Sequence, residues 1–274
     1  MSTLLGDDVK CNRCVICVLE CPARIITMAD PEVLPSWVER GEELCLNCGH
    51  CVAVCPREAV GLETMKPEDC APVNRQLLPS PEQAELLLRS RRSIRSYKET
   101  PVPREVLAGL IDTARYAPSG HNSQPVHWLV IEDRKEVERF AGLVIDWMRT
   151  TLSQSPQLAE LWHFDLIVAD WDRGIDAILR GAPHVIVAHA PKDLPIAGQN
   201  CSIALAHLEL AAYSHGLGTC WAGWFQAGVT FHPPMTEALQ LPEGHQSFGA
   251  MMIGYPRHRY SRIPLRNEPG IIWR

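Results

Sequence analysis

The sequence predicts an α+β protein built from two unlike parts, a small cysteine-rich N-terminal unit and a larger unit of packed helices and strands. Two observations carry this expectation. Eight of the 11 cysteines fall in the first 55 residues, in two runs spaced C-x-x-C-x-x-C-x-x-x-C-P. Beyond residue 82, helix-period and strand-like apolar segments alternate. With 274 residues and 46% hydrophobic content, the chain can bury a substantial core in one or two domains. The expected boundaries are 1–65 for the cysteine-rich unit, 66–81 for a linker with Pro67, Pro72, Pro79 and Cys70, and 82–274 for the second unit.

The first run is Cys11, Cys14, Cys17 and Cys21 before Pro22, and the second is Cys45, Cys48, Cys51 and Cys55 before Pro56. This is the bacterial spacing that holds two [4Fe-4S] clusters, in which three cysteines of a run wrap one cubane and the fourth ligates the other. The pattern assigns Cys11, Cys14, Cys17 and Cys55 to one cluster, and Cys45, Cys48, Cys51 and Cys21 to its neighbour. Pro22 and Pro56 fix the backbone φ after each crossing ligand. Two zinc sites of four thiolates would leave the third cysteine of each run and the trailing proline without a role. A disulfide framework suits short secreted chains, whereas this one begins MSTLLGDD, with no basic segment leading into an apolar one. No stretch approaches the roughly 18 apolar residues of a membrane span. A ferredoxin-like two-cluster domain in a reducing cytoplasm is therefore expected at the N-terminus.

Residues 1–72 carry 12 Asp and Glu against 6 Lys and Arg, so the whole net charge of −6 resides there and the rest of the chain is balanced. Nucleic acid binding needs clustered Lys and Arg and is not expected. The acidic surface reads as a solubilising shell or as a docking face for a redox protein.

In the second unit, EQAELLLRSRR and PREVLAGLIDTARYAP carry helical spacing, the latter starting at Pro103 and stopping before Pro118. HWLVIED (127–133) and HVIVAHA (184–190) read as buried strands, and residues 136–152 and 201–217 as helices. GTCWAGWF (218–225) and SFGAMMIGY (247–255) read as two further strands. The helix over 201–217 is apolar on most faces, which suggests a subunit interface. Residues 150–180, with Trp162, His163 and Trp171, read either as a substrate lid or as a packed surface helix.

Neither unit contains a G-x-G-x-x-G. The nearest stretch, from Gly216 to Trp221, leads toward a strand rather than a helix, so no Rossmann nicotinamide site is expected. Four other elements occur in order: Arg91-Arg92-Ser93-Ile94-Arg95, then Ala117-Pro118-Ser119-Gly120-His121-Asn122-Ser123-Gln124-Pro125, then Gly216 to Trp224, then Gly254-Tyr255-Pro256 leading to Arg262-Ile263-Pro264-Leu265-Arg266. Read together across residues 85–270, the series resembles the FMN-dependent nitroreductase superfamily.

The resemblance implies a nitroreductase-like α+β sandwich and a homodimer with FMN at the interface. By position, Arg91, Arg92, Ser93 and Arg95 match the family's first flavin segment, and Arg262, with Arg266 beside it, matches the C-terminal phosphate ligand. Pro118, Ser119, Gly120, Asn122 and Gln124 match the segment supplied by the neighbouring subunit. Trp221, Ala222 and Gly223 match the strand along the flavin ring, whose backbone N–H groups serve N5 and the adjoining carbonyl. Some family members carry Pro-x-Glu-Gly on that strand, where this chain has Trp221-Ala-Gly-Trp224. No side chain stands out as a proton donor. His121, Tyr116 and Cys220 are read as structural or contact residues, and Cys201 as a small hydrophobe.

Joined to the cysteine runs, the resemblance implies an iron-sulfur flavoprotein oxidoreductase. A low-potential donor would pass electrons through both clusters to FMN and on to a small organic acceptor, a nitroaromatic, quinone or enone. The alternatives are a substrate-oxidising flavoenzyme that sends electrons outward, or a non-enzymatic electron-transfer subunit.

Overall fold

A computed structural model describes residues 3–274 and divides into two compact units. The first comprises the chain up to Leu78 together with Ser119–Ser123, and the second comprises Pro79–Pro118 and Gln124–Arg274.

The first unit has few regular elements: β1 (Leu4–Gly6), α1 (Ile16–Leu19), β2 (Ile26–Thr27), β3 (Ser36–Trp37), α2 (Gly41–Leu44), α3 (His50–Val54) and β4 (Val60–Leu62). β1 pairs antiparallel with β4, and β2 with β3. Its core is small, with Ile25, Ile26, Val52, Val60 and Leu62 buried beside Cys17, Cys21 and Cys51. So little apolar area holds a fold of this size only with added cross-links, which ligated metal supplies. Each short helix starts after a residue in the left-handed region: Val15 (φ 57°), Arg40 (φ 61°) and Gly49 (φ 70°). These bends turn the chain sharply between successive cysteines.

The second unit contains α4 (Pro81–Ser90), α5 (Arg104–Ala114), β5 (His127–Ile131), α6 (Arg134–Gln154), α7 (Pro156–Leu161), α8 (Phe164–Asp172), β6 (His184–Pro191), α9 (Ala197–Ser214), β7 (Gly218–Trp221), α10 (Gly223–Phe231), α11 (Pro233–Leu239) and β8 (His245–Gly254). One four-stranded antiparallel sheet, in the order β5-β6-β8-β7, lies between two apolar layers. On β6, Val185 and Val187 face a core with Phe140, Val144, Met148 and Phe225 from α6 and α10. The alternating Ile186, Ala188 and Ala190 face Leu107, Leu110, Leu205 and Leu208 from α5 and α9. Burial on both faces explains why β6 reads as a continuous apolar run.

Two elements depart from the sequence expectation. The run 218–225 is a strand only to Trp221, and a helix starts at Gly223. Ala222 still donates its N–H to the Ala250 carbonyl at 2.8 Å, the last rung of the ladder before the chain turns. The apolar helix expected at 201–217 begins earlier, at Ala197, and ends at Ser214, where Gly216 (φ 72°) lets the Leu217 N–H reach back to the Ala212 carbonyl.

Candidate functional site

In the first unit the two cysteine runs interleave. One cavity is lined by Cys11, Cys14, Cys17 and Cys55 and walled by Val15, Ile16, Met28, Pro35 and Val60. The other is lined by Cys21, Cys45, Cys48 and Cys51, with Trp37, Leu46 and Leu62. Burial pushes the Cys17 thiol up, and the charges of Cys55, Cys14 and Cys11 add to that. Burial likewise pushes Cys51 up to about 11, with Cys48, Cys45 and Cys21 as charged neighbours. Four thiolates so placed need cationic metal between them to stay deprotonated. Backbone N–H groups already point at sulfur, from Ala59 to Cys55 Sγ (3.2 Å) and from Asn47 to Cys45 Sγ (3.4 Å). The buried Trp37 Nε1 has no acceptor among the described residues. Donors aimed at thiolates and an orphaned N–H beside the cavity are what a sulfur-rich anionic cluster would meet.

In the second unit, a cavity of about 860 Å³ opens beside β7. Arg95, Cys220, Trp221 and Gly223 line one side, and Trp147, Leu158, Trp162, Phe164, Trp224 and Phe231 the other. The Arg91–Arg95 segment reaches it by lying alongside β7: Ser93 bridges Thr219 in parallel, and the Ile94 N–H donates to the Thr219 carbonyl at 2.8 Å. Gly218 permits this approach, because a Cβ there would lie 2.5 Å from Ile94 Cγ1. The aromatic wall is edge-on, with ring centroids 5.8 Å apart for Trp162–Trp224 and 5.5 Å for Phe164–Trp224. Arg180 also lines the cavity. Burial raises the Cys220 thiol, while Arg95 pulls the other way, Glu209 adds to the rise, and Ser93 and Arg180 oppose it. The first N–H groups of α10, from Gly223 and Trp224, have no acceptor within the helix and lie at the cavity wall.

The other residues expected at this site lie elsewhere. Arg91 forms a half-buried ion pair with Glu209 of α9 (3.0 Å), and that carboxylate also accepts from Thr219 Oγ1 (3.4 Å). Arg92 lines a smaller cavity of about 410 Å³ with Tyr213, His258, Arg259 and Tyr260. Ala222 is buried with its N–H committed to β8, which leaves Gly223 and Trp224 as the cavity-lining residues whose N–H groups begin α10. Arg262 and Arg266 lie in the exposed C-terminal segment and are not among the residues lining the large cavity. Pro118 and Gln124 are exposed in the second unit. Ser119, Gly120 and Asn122 belong to the first unit, where Asn122 Nδ2 donates to the Asn47 carbonyl (2.9 Å) and the Leu46 carbonyl (3.4 Å).

Sequence reasoning missed Trp147, Phe164, Phe231 and Arg180 as cavity residues. The density of aromatic residues between 147 and 171 was the available signal, and Leu158, Trp162 and Phe164 of that stretch do wall the cavity, while Trp171 packs against the core.

Residues 10–60 match the 4Fe-4S dicluster domain, and residues 88–255 match the Nitroreductase family. An FMN reductase [NAD(P)H] of Bacillus subtilis is 27% identical over 179 residues, which are 65% of this chain and 67% of that protein. An iodotyrosine deiodinase of Thermotoga neapolitana is 25% identical over 186 residues, 66% of this chain and 92% of its own. Among solved structures, an FMN-bound nitroreductase of Bacteroides fragilis superposes with a TM-score of 0.57 at 20% identity, covering 70% of this chain and 99% of its own, a likeness of fold. Because the family match takes in more than half of the chain, including β7, the Arg91–Arg95 segment and the aromatic cavity wall, the protein belongs to the nitroreductase family of oxidoreductases and carries a 4Fe-4S dicluster domain before it.

Proposed function

We propose that this is a cytoplasmic iron-sulfur flavoprotein that takes electrons from a low-potential donor through two [4Fe-4S] clusters to FMN and delivers them to an organic acceptor of the nitroaromatic, quinone or enone class. The observation that carries the reading is the joining, in one chain, of two crossed cysteine cavities to a nitroreductase-family unit with a large aromatic cavity. When bound, the clusters supply one-electron transfer, and FMN supplies a store of two electrons that can be passed to an organic molecule.

Cys11, Cys14, Cys17 and Cys55 hold one cluster, and Cys21, Cys45, Cys48 and Cys51 the other, their sulfurs steadied by the N–H groups of Ala59 and Asn47. Arg95, Trp221 and Gly223 flank the flavin, and the free N–H groups at the start of α10 offer donors where negative charge gathers. Trp162, Phe164 and Trp224, packed edge to face against one another, present aromatic surface to a planar acceptor and exclude water, while Arg95 and Arg180 favour an acceptor carrying negative charge. Arg92, Ser93, Arg262, Arg266 and the Pro118–Gln124 segment complete the flavin site in a homodimer, and Arg91 supports it through Glu209. An open aromatic cavity favours an enzyme over a simple relay subunit. The acidic first unit suits docking of a redox partner with a basic surface.

Anaerobic stopped-flow spectroscopy tests the direction. Chemically reduced ferredoxin should bleach the flavin band, and 4-nitrobenzoate or benzoquinone should restore it. A flavin that stays oxidised with the carrier but bleaches with an organic donor would reverse the assignment. Rapid bleaching by NADH would show a direct nicotinamide route.

A further inference from the structure

The two cysteine cavities differ in the N–H donors around them. Beside Cys21, Cys45, Cys48 and Cys51, Trp37 lines the cavity and its buried Nε1–H meets no acceptor among the described residues. A buried donor left unsatisfied destabilises the fold, and a sulfur acceptor in the cavity is the partner that would satisfy it. The same cavity has the Asn47 N–H on Cys45 Sγ, and Asn47 itself is bent into the left-handed region at φ 48°.

Asn122 explains how that bend is held. Its Nδ2 group donates to the carbonyls of both Leu46 and Asn47. The peptide joining Leu46 to Asn47 is planar and trans, so its C=O and N–H point in opposite directions. Drawing the Leu46 carbonyl toward Asn122 therefore aims the Asn47 N–H at Cys45 Sγ. Thr64 Oγ1 anchors the Asn47 side chain from another side, at 2.6 Å from Oδ1. The cavity of Cys11, Cys14, Cys17 and Cys55 has its own backbone donors, from Ala59 to Cys55 and from Val18 to Cys17, matching Asn47 and Val52 at the other, but its remaining walls are largely aliphatic and no indole is among its described lining residues.

We propose that Trp37 and Asn122 raise the reduction potential of the cluster held by Cys21, Cys45, Cys48 and Cys51 above that of its neighbour, Trp37 as a direct N–H donor and Asn122 as a positioning residue acting through Asn47. The proposal rests on the two-cluster reading. An N–H group near sulfur stabilises the extra negative charge of the reduced form, which shifts the potential upward. Asn122 lies within the segment that the family resemblance assigns to flavin, so the cluster it tunes is also the one whose ligand loop is hydrogen-bonded to that segment.

The test is an anaerobic, EPR-monitored redox titration of the iron-loaded protein with Trp37→Phe and Asn122→Asp. Trp37→Phe keeps a smaller aromatic ring without the N–H, and Asn122→Asp keeps the side-chain outline without the N–H but adds a negative charge, so Trp37→Phe isolates the effect of the lost donor. In each variant the higher of the two midpoints should move down while the lower one stays, with iron content unchanged. A higher midpoint that does not move in either variant, or two midpoints that shift together, would overturn the proposal. If Asn122→Asp loses iron, Trp37→Phe alone decides between these outcomes. A wild-type protein that binds no iron would instead sink the two-cluster reading, which keeps the two failures distinguishable.

Discussion

Crossed ligation makes a demand on pairs of cysteines that single substitutions do not expose. If Cys11 and Cys55 serve one cluster, as the shared cavity suggests, then Cys11→Ala combined with Cys55→Ala removes two ligands of the same centre. Iron should fall from about eight to about four per chain and go no lower. Cys11→Ala combined with Cys21→Ala strikes both centres and should leave the protein nearly iron-free. Iron analysis giving the reverse order would show that each run holds its own cluster. The cysteines were legible in the sequence because ligand spacing is a local property. Asn122 was not legible as a neighbour of the other centre, held by Cys21, Cys45, Cys48 and Cys51, since it lies 75 residues beyond Asn47 and only the fold joins them. Arg91 shows the opposite limit. Its guanidinium is positioned by Glu209, 118 residues away, and a local motif says nothing of that carboxylate.

At the scale of elements, periodicity found β5, β6 and β8 because their alternating faces are buried in two layers, and it misread residues 222–225, where a short aromatic run suits strand and helix equally. The strands also gather titratable groups that no single segment reveals. His127, His189 and His245 meet at one end of the sheet, with ring centroids 4.9 to 5.6 Å apart and His189 Nδ1 at 3.0 Å from His245 Nδ1. Burial first, and then the charges of His245 and His127, hold the His189 pKa down at about 4 from its ordinary 6.5. At the other end of β6, burial also lowers His184, whose Nε2 accepts from the Val102 N–H at 2.8 Å. As pH falls below about 6.5 the unfolded chain takes up these protons before the folded one does. Stability from the neutral imidazoles is therefore complete above that value and drains away toward pH 4. For His189 the loss is on the order of 2 kcal/mol. Thermal unfolding followed by tryptophan fluorescence should show a smaller drop in midpoint between pH 7 and pH 5 for His189→Asn than for wild type. Equal drops would show that His189 is not a source of acid sensitivity.

At the scale of the molecule, α9 is the element whose surface one chain leaves unexplained. Its inner face packs Cys201, Leu205, Leu208 and Ala212 against the sheet and α5. The helix has one charged residue in 18, Glu209, and that residue points inward to Arg91. A helix face meant for water ordinarily carries several charges, yet the outward face here presents Ser202, Ile203, Ala206, His207 and Leu210, with Ile203 38% exposed. A second copy of the chain docked through this face would account for the missing charge, in keeping with the homodimer proposed above. Ile203→Asp places a carboxylate at the centre of that contact. Because Ile203 is exposed in the single chain, the substitution should leave the fold of each subunit intact while weakening association by about 100-fold, the cost of an unpaired charge in an apolar interface being several kcal/mol. Sedimentation velocity should then find monomer where wild type is dimer, with flavin retention falling alongside, since the proposed site draws on both subunits. A dimer that persists with full flavin would place the interface on another surface and leave α9 a solvent-facing helix.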